Sequence, residues 1–184
     1  MEPDDIGSSE RAFEEKVKAG FADVLKREAA VHPQPELRRR ILRFLARNPI
    51  GTLATCSDNV PRSTPVRFRC DEQLRFYILT EGGGKLQNIR KNPNVSFSVY
   101  GRYTGFRSCR GMQLWGKAEI IESGDRDNYL AAYRCMGLEQ REDLQKIEMK
   151  QPPSEMPIIR ISPERIRYLS IPEGILNQEL ILPG

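Results

Sequence analysis

The sequence has few of the residues that build metal centres and disulfide frameworks. Its 184 residues include one histidine, His32, and four cysteines that are scattered along the chain without a CxxC pair. A structural zinc site takes several His or Cys ligands at short spacings, so we expect no metal. Scattered cysteines of this kind are typical of a reducing compartment, which predicts a cytoplasmic protein with free thiols.

Long apolar runs and a large charge excess are also missing. No stretch approaches the roughly 20 apolar residues that a membrane-spanning helix needs. The acidic start, MEPDDIGSSE, lacks the features of a secretory signal, so we expect no membrane partner. The net charge of +4 is small for a nucleic-acid-binding surface. We therefore interpret the arginines of residues 38–43 as a solvated helix face, and expect no nucleic-acid partner.

The front of the chain has the apolar spacing of helices. Residues 10–30 carry apolar side chains three and four apart, which predicts an amphipathic helix. Prolines at positions 33 and 35 separate it from a second helix over residues 36–47, which ends at Asn48-Pro49. We assign residues 1–35 to an N-terminal helical extension. The core-facing side chains of the second helix are predicted to be Leu37, Ile41, Leu42, Phe44 and Leu45.

From residue 50 onward the pattern is mostly that of strands. Strands are predicted over residues 50–56, 60–70, 74–79, 95–100 and 111–121, and a helix over 125–135. Two more short strands, 156–161 and 165–170, are predicted to join at a turn over 162–164. Pro61 and Pro65 suit an edge strand or a bulge. Six or more antiparallel strands predict a mainly β (α+β) barrel or sandwich with peripheral helices, and the apolar tail, residues 171–184, is free to dock on a partner subunit.

The stretch over residues 74–100 has the pattern of an anion site. It combines a strand, the triple glycine Gly82-Gly83-Gly84, a short helix opened by Lys85 and a further strand. Glycines permit positive φ, and the free N–H groups at a helix start attract anions. The Thr80 hydroxyl and the Lys85 ammonium group add donors. The same pattern also fits a surface turn with a solvated lysine.

Three segments carry a resemblance to a known family. They are IGTLATCSDNVPRSTPVRF, FYILTEGGGKLQNIRKNPNVSFSVY and QLWGKAEII. With them the chain resembles the pyridoxamine 5′-phosphate oxidase-like, flavin-binding split barrels over roughly residues 37–170. The resemblance implies a split β-barrel over residues 36–170, FMN as the cofactor, and a homodimer with the flavin site at its interface.

The resemblance also implies roles for individual residues. The residues that match the family's phosphate-binding positions are Arg62, Thr80 and Lys85. Those on the strand beside the flavin ring are Ser63, Thr64 and Val66. Arg67 is expected to approach the phosphate or a substrate anion, and Gln113 to contact the ring. Gly83 and Gly84 stand where the family often carries a serine and an arginine.

The activity that the resemblance implies is that of an FMN-dependent oxidoreductase acting on a small molecule. The C-terminal sequence IPEGILNQELILPG has neither the tryptophan nor the arginines with which true pyridoxamine 5′-phosphate oxidases hold their substrate. Vitamin B6 oxidation is therefore not expected. Tyr129 lies near the position of a substrate-binding tyrosine of the family, but its place in an amphipathic helix favours a core role. The alternative function is a non-catalytic flavin- or haem-binding sensor of the same fold.

Overall fold

A computed structural model describes residues 15–16, 31–137 and 156–182. The predicted first helix lies outside these ranges, except for Glu15 and Lys16, which are helical. Among the described residues, no helix combines the length and apolar character needed to cross a membrane.

Helix α1, Gln34–Arg47, confirms the predicted second helix. It begins two residues earlier than expected, because Pro35 fits the first turn of a helix, where no backbone N–H is required. Four of its apolar side chains are buried, namely Leu37, Ile41, Phe44 and Leu45. Leu42 is half-buried and packs against the same core.

Eight strands form one antiparallel sheet, which confirms the mainly β class. Their bounds are β1 Ile50–Ser57, β2 Val60–Arg67, β3 Arg69–Cys70, β4 Phe76–Leu79, β5 Asn94–Tyr100, β6 Arg110–Ile121, β7 Ile158–Ser170 and β8 Ile175–Leu180. The strand order is β2-β1-β5-β6-β7-β4-β3, and β8 also pairs with β7. The sheet curls so far that β2 and the end of β4, distant in this order, border one cavity. This is the split barrel that the resemblance implied.

Strand β2 is at an edge of the sheet, one of the two alternatives that its prolines predicted. Among the described residues its one strand partner is β1, where Pro61 lies opposite Cys56 and Pro65 opposite Thr52. The predicted strand over residues 60–70 is broken at Phe68, however. This ring is buried against the rings of Phe76 and Phe97, with centroids 5.4 and 5.1 Å away. Turning Phe68 into the core ends β2 and begins β3.

Strand β7 pairs with three other strands, β6, β4 and β8. One edge pairs with β6 along its length, whereas the other edge is shared, with residues 158–161 on β4 and residues 166–170 on β8. The register with β6 shifts between Trp115 and Gly116, which leaves Glu164 as the extra residue of a β-bulge. The predicted turn over residues 162–164 is therefore wrong. The chain stays extended there because β6 pairs with it on both sides of the bulge.

Two helices and the C-terminal strand complete the fold. Helix α2, Gly84–Lys91, ends at Asn92 as predicted, and α3, Arg126–Cys135, is followed by Gly137 with φ of +62°. Ile175 and Leu180 of β8 are buried in the main core. The sequence pattern predicted no strand in this segment. Docking of the C-terminal tail on a partner subunit stays a prediction. The four cysteines are free.

Candidate functional site

Helix α2 is fixed across strand β1 by asparagine side chains. The Asn88 amide nitrogen donates to the Thr55 hydroxyl at 3.1 Å, and the Ser57 hydroxyl donates to the Asn88 amide oxygen at 2.8 Å. The Asn92 amide nitrogen donates to the Cys56 carbonyl at 3.1 Å. Because Thr55 is buried, these bonds hold the helix, and hence its first turn, at a defined place beside the sheet.

The turn before α2 uses glycine for its conformation. Gly82 and Gly83 have φ of +120° and +92°, which side-chain-bearing residues rarely adopt. The buried Thr80 hydroxyl accepts a hydrogen bond from the Gly82 N–H at 3.3 Å. The Lys85 ammonium group donates to the Gly82 carbonyl at 2.8 Å. The side chains of Thr80 and Lys85 are therefore both held by hydrogen bonds to the backbone of Gly82.

The side chain of Arg62, from β2, lies next to Gly84 at the end of this turn. A Cβ atom at Gly84 would lie 2.8 Å from the guanidinium carbon of Arg62, so the guanidinium group occupies the space above the start of α2. Burial lowers the pKa of Lys85 below its ordinary value, and the nearby Arg62 lowers it further, against the opposing effect of Glu81. Within the described ranges, neither cation forms a salt bridge with a carboxylate.

The turn opens into a cavity of about 580 Å³ between β2 and the end of β4. Five of the residues predicted for the site line it, namely Thr64, Val66, Arg67, Thr80 and Lys85. Glu81 and Met156 also line it, although the sequence analysis did not single them out. The position of Glu81 next to Thr80 was a usable signal. Met156 reaches the cavity from a distant part of the chain and carries no local signal.

The cavity takes residues from both faces of β2, because the consecutive residues Thr64, Pro65, Val66 and Arg67 all line it. Arg62 lies opposite Thr55 and Thr64 opposite Leu53, both buried, so these β2 side chains share the inner face of the sheet. Ser63 lies between them in sequence and therefore points to the outer face, together with Pro65 and Arg67, which nevertheless line the cavity.

Gln113 of β6 also lies on the outer face. It is exposed, opposite Ser98 of β5, which in turn lies opposite Thr52 of β1. Of the predicted site residues, Arg62, Ser63 and Gln113 are not part of the cavity lining, and Arg62 instead lies beside Gly84. The proposed contacts of Ser63 and Gln113 with a flavin ring stay predictions.

Tyr129 belongs to the packing of α3. Its side chain is 3% exposed, its hydroxyl donates to the Met156 carbonyl at 2.7 Å, and its ring stacks on Tyr133 with centroids 6.5 Å apart. Burial raises the pKa of the Tyr129 hydroxyl. This is the core role that the amphipathic pattern favoured.

Comparisons with known proteins agree with this architecture. Among solved structures, a conserved hypothetical protein from Mycobacterium tuberculosis is 22% identical, with a TM-score of 0.59 over 80% of this chain and 90% of that chain. An FAD-binding protein from Mesorhizobium loti is 19% identical, with a TM-score of 0.55 over 70% and 90% of the two chains. A haem-binding protein from Mycobacterium smegmatis is 17% identical, with a TM-score of 0.57 over 82% and 58%.

These identities are low, so the structural likeness shows a shared fold and no more. Among curated proteins, none matches the chain. The family model described as pyridoxamine 5′-phosphate oxidase matches residues 37–170, which is most of the sequence. The match spans the sheet from α1 to the end of β7 and includes the turn, the helix start and the β2 strand that form the cavity. The chain belongs to the pyridoxamine 5′-phosphate oxidase family.

Proposed function

We propose that the chain binds FMN, with the phosphate group at the start of α2. The observation that carries the proposal is the convergence of Arg62 and Lys85 on the Gly82–Gly84 turn, with no salt bridge to either cation among the described residues. Two like charges held this close repel each other, so the arrangement favours an anion between them. Membership in a family of flavin-binding proteins gives that anion its identity.

The donor set fits a phosphate monoester. Such a group carries about −1.5 to −2 charge near neutral pH and has three strong acceptor oxygens. Arg62 supplies a planar set of donors and Lys85 a compact positive charge, while the Thr80 hydroxyl retains a proton to donate. Because Gly84 has no side chain, the Arg62 guanidinium group can lie against the start of α2. The cavity of about 580 Å³ lies within the size range of small-molecule sites.

We further propose that the protein is an oxidoreductase that acts on a small molecule. A bound flavin would supply the redox chemistry, and the protein would supply binding and orientation. Thr64 and Val66 of β2 would form one wall for the cofactor. Arg67 is exposed at the rim of the cavity and would attract an anionic group of the substrate.

A homodimer with the flavin site at its interface is part of the proposal. The outer sheet face that carries Ser63 and Gln113 is the side that a second copy would cover. Large apolar side chains are exposed near one end of this sheet, namely Ile50, Tyr100, Tyr103 and Phe106. Exposed apolar clusters of this kind are typical of interaction surfaces. Sedimentation velocity should give a dimer, and a monomer at micromolar concentration would contradict an interfacial site.

Titration with FMN tests the binding proposal directly. We expect quenched flavin fluorescence, a shifted visible spectrum and saturation at one FMN per chain. An unchanged fluorescence and spectrum at micromolar protein and FMN would refute flavin binding. Reduction of the bound flavin by NADH or NADPH, measured as bleaching, supports an enzyme, because a non-catalytic sensor has no need of a reductant.

A haem-binding sensor is the alternative within the same fold. The only histidine of the sequence, His32, precedes α1 and is tied to β8, where its backbone N–H donates to the Gln178 amide oxygen at 3.1 Å. It does not line the cavity. Histidine-ligated haem in the cavity therefore has no support from this chain, which favours the flavin.

A further inference from the structure

A second group of arginine side chains lies at the C-terminal part of α1 and the start of β6. A small cavity of about 100 Å³ is lined by three arginines of α1, Arg40, Arg43 and Arg47, and by Arg110 at the start of β6, together with Phe44, Asn48, Tyr168 and Glu173. We refer to these four arginines as the arginine cluster. The cavity shares no lining residue with the proposed flavin site, so the two are separate.

Only one of the four guanidinium groups has carboxylate partners among the described residues. Arg40 donates to Glu36 at 2.6 Å and to Glu173 at 2.7 Å. Burial would raise the pKa of Glu173, but its hydrogen bonds, including those from Arg40 and Tyr168, hold that pKa below the ordinary value. The Glu173 carboxylate is thus ionised and already neutralised by Arg40.

The other three arginines form no salt bridge within the part of the chain that the structure describes. Arg43 and Arg47 are four residues apart on the same helix face, and like charges at this spacing destabilise a helix. The helix dipole favours cations near the C-terminus of α1, which accounts for Arg43 and Arg47 as solvated side chains. It gives no reason for Arg110, which the sheet brings to the same cavity.

We propose that the arginine cluster binds a phosphate group, either as the free ion or at the end of a small molecule. Arg43, Arg47 and Arg110, which form no salt bridge with any described residue, come from two elements and offer bidentate donors to one cavity. A cavity of about 100 Å³ has room for a phosphate group but cannot enclose a whole nucleotide. The rest of any larger ligand would extend into solvent.

Calorimetric titration with inorganic phosphate at constant ionic strength tests this site. The titration is made on the full chain and on an Arg62→Gln/Lys85→Ala variant, in which the proposed flavin-phosphate site is disabled. We expect phosphate binding to persist in that variant. Adding Arg43→Gln and Arg110→Gln should weaken it at least about tenfold, because each replacement removes charge-assisted hydrogen bonds.

Arg39→Gln is the matched control. Arg39 is an exposed arginine of the same helix and does not line the cavity, so its replacement should change phosphate affinity less than about twofold. The proposal is overturned if phosphate binds only through Arg62 and Lys85, if Arg39→Gln weakens binding as much as the double replacement, or if no binding heat appears. Should the combined variant fail to fold, Arg47→Gln alone, at the exposed end of α1, gives the same comparison.

Discussion

The guanidinium group of Arg62 lies in the space that a side chain at Gly84 would fill, with its carbon 2.8 Å from the position of a Cβ atom there. Replacement Gly84→Ala should displace this flexible group at little cost to the fold, because alanine suits the first turn of α2 better than glycine. We expect FMN affinity, measured by fluorescence quenching, to fall about tenfold. The thermal midpoint should stay constant or rise.

Gly124→Ala is the control for this prediction. A Cβ atom at Gly124 would meet nothing within 4 Å, and the residue lies outside the cavity. Its FMN affinity should match that of the unaltered protein. Unchanged affinity in Gly84→Ala would show that Arg62 does not need its present position to bind the cofactor.

Lys85→Ala should weaken FMN binding by about 10- to 100-fold, because it removes a charged donor to the phosphate. Riboflavin has the same ring system without the phosphate group. Its affinity, measured by the same quenching assay, should therefore change little. Equal losses for FMN and riboflavin would place Lys85 near the ring and contradict its assignment to the phosphate.

FMN binding should weaken as the pH rises through the alkaline range. Burial lowers the pKa of Lys85 in the free protein, so the lysine loses its charge at a lower pH than an ordinary lysine. The FMN phosphate is fully ionised above about pH 8, so the titration of that phosphate does not cause the loss of affinity there. Lys85→Arg should remove this pH dependence, since arginine stays protonated. An identical alkaline loss in Lys85→Arg would assign it to another group.

Gly116→Ala should destabilise the barrel at the β-bulge. A Cβ atom there would lie 2.2 Å from the Ser162 carbonyl oxygen, which belongs to backbone and has little freedom to move. We expect a loss of about 1–3 kcal/mol in the free energy of unfolding, measured by urea denaturation. Gly124→Ala again serves as the unstrained comparison. A loss below a few tenths of a kcal/mol would mean that β7 shifts freely at this point.

Tyr129→Phe separates packing from substrate binding. Removal of the hydroxyl leaves the Met156 carbonyl without this donor and should cost about 1 kcal/mol in the free energy of unfolding. FMN affinity should stay within about twofold. Weaker FMN binding with an unchanged unfolding midpoint would indicate that Tyr129 contributes to the binding site and contradict a purely structural role.

Much of the fold could be predicted because its signals are local. The prolines of β2 indicate an edge strand or a bulge by themselves, and the Asn92-Pro93 pair ends α2 where the pattern predicts. The bulge at Glu164 was not predictable in this way. Pro163 reads as a turn residue in isolation, and only the pairing of β6 on both sides keeps the chain extended.

In the candidate site, too, the features with local sequence signals could be predicted and those set by long-range packing could not. Thr80, Gly82 and Lys85 lie within six consecutive residues, so the turn that connects them could be predicted from the local sequence. The approach of Arg62 to Gly84 depends on the curl of the sheet, and family resemblance rather than local pattern pointed to it. Ser63 and Gln113 lie on the outer face because strands alternate, a feature that comparison of motifs ignores.

The shared edge of β7 makes the folding unit longer than the segment that the family has in common. The family match stops at residue 170, yet β8 lies beyond it and covers half of that edge with backbone hydrogen bonds. Ile175 and Leu180 close the core from the same strand. A chain cut at the family boundary would therefore present an open strand edge beside exposed core, the combination that drives aggregation. The part of this protein that packs as one unit therefore extends past residue 170, where the family match ends, to include β8.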